Sequence, residues 1–406
     1  MPILQKIRLN SANTNSQTSS VGEPSISNIG QQMLVTGNWY ASKSGDNGSS
    51  WNHVDPFNFF PKADDGFCCD QTLHCDPSRN LTFWLLQYIK TNTGNTLRLA
   101  VNNRNTLPDN DWYWWDLVPS RINDQWQNEW FDYNHAAVSD NYLYVVTNVF
   151  STVNNSFVRC VVFRFPLTAL TDNGGNPGMQ YFQTQNFSVR CTQGAGNTMY
   201  FASHLSDRKI RLFEWADNNP TASFTDINIS PWVGGAGGYF APGPDGNNWL
   251  SRCDPRITGG WISGDALGFM WSVDRTPSRP FPHVRCVRIN RTTKQVISEP
   301  DIWSPNFAYA YPDTCPNETG DVGITLFRGG GNIYPGLVVG KWNSTANSWS
   351  LQAAQNGTNG PSDRKWGDYI TCRRHTSDGN TWLAVGFTLQ GGASRLNIEP
   401  CIVHFS

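Results

Sequence analysis

Apolar positions along the chain fall in short runs bounded by Gly, Asn or Asp, and none keeps a 3.6-residue period long enough to make a convincing helix. The runs repeat. Asn80–Gln87 (NLTFWLLQ) resembles Asn141–Asn148 (NYLYVVTN) 61 residues later, and Asn197–His204 (NTMYFASH) follows after a further 56. Weaker echoes stand at Ala266–Val273 and Thr381–Thr388. Each has a second apolar strand before it: Gln71–Cys75, Asn134–Val138, Val189–Gln193, Ile257–Ser263 and Trp366–Cys372. A further unit is placed at Asn317–Phe327.

Short strands recurring at about 60 residues fit the four-stranded blade of a β-propeller. Six such units run from about residue 66, and Gly30–Phe60 supplies a seventh. The expectation is an all-β, seven-bladed propeller of four-stranded antiparallel blades, one domain over residues 1–406. Pairing of Ile3–Asn10 with Ile402–Ser406 would close the ring and remove free sheet edges. Ser44–Trp51 (SGDNGSSW) matches the S-x-D-x-G-x-x-W Asp-box found in sialidase-like propellers, with degenerate versions at Asp245–Trp249 and Asp378–Trp382. Such a turn is a folding device: Asp caps the hairpin, Gly takes positive φ and Trp fills the gap between strands.

Composition agrees with many strands and tight turns: 15% charged residues, 13% aromatics, 36 Gly and 24 Pro. A net charge of −2 without a basic run gives no footprint for nucleic acid, and no run of apolar residues is long enough to span a bilayer. The ten cysteines are even in number and scattered, which favours disulfides over zinc. Cys68 and Cys69 are expected to staple different segments, because neighbours do not easily bond to each other. With nine N-x-S/T sequons, this predicts a secreted, disulfide-stapled glycoprotein. No leader precedes Ile3, so the chain reads as a mature form with an added start.

In a propeller, the starts of inner strands and the ends of second strands converge on one funnel. Those positions are Asp70, Gln71, Asp132, Asn134, Arg190, Arg256, Arg364 and Trp366, with Gln87, Asn148, His204 and Arg328. Rich in arginine and amides and poor in free carboxylates, such a funnel suits an anion, with a sugar carboxylate the natural candidate. His74 and His135 align in successive blades and are placed on the innermost strands, facing the channel, whereas His53, His283, His375 and His404 read as structural. Arg beside His fits β-elimination from a 4-linked uronic acid. Donors to the carboxylate stabilise the intermediate by about 3–4 kcal/mol each, and a neutral His moves the C5 proton. A hydrolase needs two opposed carboxyl groups instead, for which Asp70, Asp132, Glu318 and Asp368 are candidates.

Cys69–His74 (CDQTLH), Asn134-His135, Arg190, Asp254–Arg256 (DPR), Pro316–Asp321 (PNETGD) and Arg364–Asp368 (RKWGD) together resemble a family of seven-bladed carbohydrate-active propellers. That family includes the fungal L-rhamnose-α-1,4-D-glucuronate lyase acting on gum arabic, rhamnosyl-glucuronate hydrolases and, more distantly, ulvan lyases. The resemblance runs from about Gly66 to the end. It implies a polysaccharide lyase with His as base and acid and Arg neutralising the uronate. His135 is the first candidate for proton transfer and His74 its competitor. Arg190, Arg256 and Arg364 stand on the carboxylate side, Asn148 and His204 orient hydroxyls, and Gln71 and Trp366 complete the substrate set. No cofactor is implied, although a structural calcium held by Asp321 and Asp368 is compatible. The expected partner is an acidic plant or algal polysaccharide or oligosaccharide, bound by a monomer without nucleic acid or membrane. Related hydrolases use the opposite face, and the residues do not choose between faces. Two alternatives remain: a sialidase-like glycoside hydrolase, which lacks an evident Tyr–Glu pair, and a lectin using the 18 tryptophans, which the unequal blades disfavour.

Overall fold

The computed structural model describes residues 1–104, 106–107, 111–171, 175–235 and 238–406. Its strands form seven antiparallel sheets of four strands each. Blade 1 is Ser25–Ile29, Gln32–Thr36, Ala41–Ser44 and Asn52–Val54; blade 2 is Phe67–Asp76, Leu81–Tyr88, Leu97–Asn102 and Tyr113–Leu117. Blade 3 is Glu129–Val138, Tyr142–Ser151, Phe157–Pro166 and Gln180–Thr184; blade 4 is Arg190–Cys191, Thr198–Ser206, Lys209–Ala216 and Ser223–Asn228. Blade 5 is Ile257–Ser263, Ala266–Val273, His283–Asn290 and Val296–Ser298; blade 6 is Ala308–Pro316, Val322–Gly330, Ile333–Asn343 and Ser348–Gln355. Blade 7 takes Thr371–Arg374, Trp382–Leu389 and Ile398–Phe405 from the end of the chain and Ile3–Arg8 from its start.

Each inner strand packs beside that of the next blade, and the inner strand of blade 7 returns to that of blade 1, so the sheets ring a central channel. The closing pair is in register from Ile3 opposite Phe405 to Arg8 opposite Cys401, as expected from the apolar termini. Sheet twist leaves the blades facing each other, and the core is accordingly divided into hydrophobic layers between neighbours. In the layer between blades 7 and 1, Leu9 is buried with Ile26, Val35 and Ile402. Leu9→Ala is expected to cost about 2–5 kcal/mol, seen as a lower urea midpoint, because the cavity opens where the ring is closed non-covalently.

Tryptophans fill the gaps where glycine leaves room. The Trp261 ring covers Gly268 and the Trp382 ring covers Gly323 so closely that a Cβ would overlap either ring. The Asp-box forms the turn between the outer strands of blade 1. Asp46 accepts from the Ser50 amide at 2.8 Å and the Ser44 hydroxyl at 2.8 Å, Gly48 has φ 84°, and Trp51 Nε1 donates to the Gly48 carbonyl at 3.0 Å.

The disulfide expectation is corrected. Cys68 and Cys69 are bonded to each other, and Cys75, Cys160, Cys191, Cys253, Cys286, Cys315, Cys372 and Cys401 are free thiols. All of these but Cys75 are fully buried, and they serve as small apolar side chains in the packing of the ring. Non-covalent packing and strand closure therefore do the stapling. The sixth unit gains an inner strand, Ala308–Pro316, that the sequence did not mark, and Asn317–Phe327 is the following turn and second strand.

Candidate functional site

The inner strands all run the same way along the channel, so their starts gather at one mouth, called upper here, and their ends at the other. This polarity divides the candidate residues into three groups. The upper mouth is more acidic than the sequence suggested. Arg256 bonds Asp254 at 2.8 Å and Asp368 at 3.0 Å, and its guanidinium lies 4.0 Å above the Tyr133 ring. Glu23 accepts the Asp368 amide at 2.9 Å and hydrogen-bonds Asp70, while Gln87 donates to Asp132 at 3.0 Å. Burial, with repulsion from Asp70 and Asp368, holds the Glu23 carboxyl well above its usual range. Burial, with repulsion from Asp132 and Asp368, pushes Asp70 up to about 7. Two hydrogen-bonded carboxyls in this state share a proton. Glu23, which precedes the inner strand of blade 1, had no repeat to mark it.

The channel centre holds His135 and Arg190. Arg190 and Arg373 both bond the buried Asp313, at 2.7 and 3.1 Å. His135 Nε2 accepts the Cys191 amide at 3.2 Å, so the ring proton sits on Nδ1 and no lone pair is left to serve as a base. The adjoining cavity is only about 10 Å³, too small for a sugar. A bulge between Asp132 and His135 puts Tyr133 at φ 58° and turns its ring towards this centre.

The lower mouth is a basin of about 870 Å³ built from the ends of inner strands and the turns that follow them. His74, Gln193 and Arg373 lie towards the channel, and Arg79, Arg291 and Arg374 come from the surrounding turns and strand ends. His74 Nε2 faces the Gln193 carboxamide oxygen at 2.8 Å, and Gln193 in turn donates to the Ala136 carbonyl at 3.1 Å. His74 Nδ1 stands 2.9 Å from the Cys75 amide and 3.0 Å from its carbonyl. Burial, and then the charge of Arg373, lower the His74 pKa to about 4, so the ring is neutral at ordinary pH. Arg374 and Arg291 are held loosely by Glu318 and Asp265, at 3.7 and 3.8 Å, which leaves their guanidinium faces open to an anion.

The two histidines do not share a depth. His74 pairs with Phe83, two residues before the last pair of its hairpin, Asp76–Leu81, whereas His135 pairs with Val146, three residues before Val138–Leu143. That step separates a ring at the basin from one enclosed in the channel. The other candidates are dispersed. Gln71 ties blades together, donating to the carbonyls of Gly37 and Tyr40 and accepting from Trp84. Asn148 accepts the Ser188 amide at 3.1 Å. His204 is held between the rings of Trp232 and Trp271, each 4.8 Å away. Trp366 is 1% exposed, packed on Trp249, Phe327 and Phe387, and offers no face to a ligand. Arg364 is exposed on a loop at φ 61°, and its carbonyl accepts the Ser251 hydroxyl. Arg328 lies over Phe307. Asp321 belongs to a lower turn and Asp368 to the upper mouth, so they cannot share a calcium ion; among the described residues no group of three or more His, Cys, Asp or Glu is placed to hold a metal.

The basin arginines escaped the sequence reading because it took strand starts as the functional end. Their signal was present in Cys372-Arg373-Arg374 and in Asp76–Arg79, each at the far end of an inner strand.

No family model matches the chain, and no curated protein does. Solved structures similar to it include a sialidase of Streptococcus pneumoniae (9% identity, TM-score 0.47, 80% of this chain and 67% of that one). An α-L-arabinofuranosidase of Fusarium graminearum gives 8% identity and TM-score 0.46 over 98% of this chain and 96% of that one. An α-L-arabinanase of Penicillium chrysogenum gives 11% and 0.43 over 100% and 99%. At these levels the likeness assigns no chemistry.

Proposed function

We propose that the protein is an extracellular, monomeric carbohydrate-active enzyme that takes an acidic oligosaccharide into the lower basin. There it releases a terminal sugar, L-rhamnose, from 4-linked glucuronic acid by β-elimination. The observation that carries this reading is the meeting of a neutral histidine, His74, with loosely paired arginines in a cavity of about 870 Å³. The motif CDQTLH, which ends on His74, supports it, and the sequons support secretion.

In this reading Arg374 and Arg291 receive the uronate carboxylate, and Arg373 beside His74 stabilises the charge that spreads onto it as C5 loses its proton. His74 takes that proton, the C4–O4 bond breaks, C4 and C5 become doubly bonded, and the proton passes to the departing O4. In the resting structure Nδ1 accepts the Cys75 amide and Nε2 donates to Gln193. The base form moves the ring proton to Nδ1, exchanging the Cys75 amide for the Cys75 carbonyl, and bares Nε2 as substrate displaces the Gln193 carboxamide. Incubation with a rhamnosyl-glucuronate disaccharide is expected to yield rhamnose together with the ultraviolet absorbance of a conjugated unsaturated uronate. Rhamnose without that absorbance rejects elimination. Because His74 works as the neutral base, activity is present above its pKa and is lost as pH falls through it. The acid limb of kcat/KM is expected near pH 4, and a limb near the usual histidine value would remove His74 from the role.

One observation favours a second reading. At the upper mouth the raised carboxyl of Asp70 stands near Asp132 and Asp368, a cluster that offers a hydrolase its acid and base, whereas Glu23 and Asp70, hydrogen-bonded to each other, are too close to be the two opposed groups. Asp70→Asn abolishes turnover in that case and leaves it intact if the reaction lies in the lower basin.

A further inference from the structure

Between the two mouths lies a second site, which shares Arg373 with the basin but which no step of either reaction occupies. The channel cavity of about 10 Å³ has room for one occupant of water size. Arg190 and Arg373 border it, 5% and 8% exposed, and among the described residues the one carboxylate bonded to either is Asp313. Asp313 is fully engaged, since Oδ2 also accepts the Cys372 amide at 2.8 Å. Two buried guanidinium charges thus share one buried carboxylate, an imbalance that is costly away from water.

The hydrogen-bond inventory points the same way. Nε of Arg190, Nε of Arg373, Nδ1 of His135 and the Tyr133 hydroxyl are all buried without a partner. His135 Nδ1 carries the ring proton because Nε2 already accepts from Cys191. Four residues that border a space for one ligand thus carry an unpartnered donor each, against a single unpartnered acceptor among them, Asn134 Oδ1. Water has two lone pairs and two hydrogens of its own to place, so it leaves donors unmet; a monoatomic anion accepts from every side.

We propose that this cavity is a halide site, occupied by chloride, in which one ion answers the second guanidinium and joins blades 3, 4 and 7 at the channel axis. Phosphate, sulfate and sugar carboxylates are too large for it. The surrounding acidic groups do not take this place, because Asp254 and Asp368 are engaged by Arg256 at the upper mouth.

The test uses the whole protein dialysed into sodium gluconate and then titrated with sodium chloride or bromide at constant ionic strength. A saturable rise in melting temperature at millimolar halide is expected. Crystals soaked in bromide should show an anomalous peak within hydrogen-bond distance of Nε of both Arg190 and Arg373. Tyr133→Phe keeps the ring and removes one donor, so it should weaken the halide midpoint by about two- to tenfold. Equal melting in gluconate and chloride, a cavity holding water only, or a peak seen only at molar bromide would each overturn the proposal. The reaction at the basin need not occur for any of these readouts, so failure here is distinct from failure of the proposed function.

Discussion

His74→Ala is expected to lower turnover of a rhamnosyl-glucuronate substrate by roughly 10²–10⁴-fold, the range for loss of a positioned acid–base group. His135→Ala is expected to leave turnover within a small factor of the parent. The contrast rests on two observations. His74 opens on the basin; its Nδ1 accepts the Cys75 amide at 2.9 Å here, as His135 Nε2 accepts that of Cys191, but the Cys75 carbonyl at 3.0 Å offers Nδ1 an acceptor for its proton once Nε2 turns from Gln193 to substrate. His135 borders only the small channel cavity and has its one lone pair occupied by the Cys191 amide. Truncating His74 also strands the Gln193 carboxamide, so some loss of stability accompanies the variant. Added imidazole separates the two effects: it should restore part of the activity of His74→Ala if the ring moves a proton, and none if the ring only props Gln193. Equal losses in the two variants would contradict the assignment.

The second large effect concerns the channel. Asp313→Ala leaves Arg190 and Arg373 without their shared carboxylate and the Cys372 amide without its acceptor. Breaking a buried pair by removing one partner costs about 3–5 kcal/mol, because the remaining charge stays buried and unanswered. Three inner strands meet through this one carboxylate, so the loss should appear as a lowered urea midpoint for the whole ring. A change under about 1 kcal/mol would mean that the guanidinium groups reach water or another carboxylate instead.

The blades were legible because their second strands are fully buried runs with a fixed position relative to the turn, as in Leu81–Tyr88 and Ala266–Val273. Ring closure was legible too, from strand-like apolar residues at both ends of the chain. Blade 6 was found by its second strand alone: its inner strand, Ala308–Pro316, carries a bulge with Tyr311 at φ 56°, and that irregularity hides the period-2 pattern. The cysteines misled for a simpler reason. An even count of ten suits disulfides, yet a thiol also fills a small apolar gap between sheets, and sequence does not separate the two uses.

Much of the site was beyond reach for a physical reason. Sequence identifies residues at strand ends but not which mouth of the channel is wide enough for a ligand. Trp366 lies in the loop before the inner strand of blade 7 and Gln71 inside that of blade 2, not at strand starts, and both turn into the packing between blades. Arg190 was correctly taken as unusual, but its partner Asp313 is 123 positions away along the chain. Glu23 meets Asp70 through the packing of blade 1 on blade 2 and Asp368 through ring closure, which no local pattern records. His74 and Arg373, by contrast, lie in motifs visible in the sequence, and what the structure adds is the basin they share.

The central claim, elimination rather than hydrolysis, is tested most directly by the mass of the products formed in water labelled with oxygen-18. Elimination predicts a uronate lighter than glucuronic acid by the mass of one water, and no label beyond that which the reducing ends take up by exchange in an enzyme-free control. Label in the released sugar above that control, with an intact saturated uronic acid, would contradict the account and move the chemistry to the carboxyls of the upper mouth.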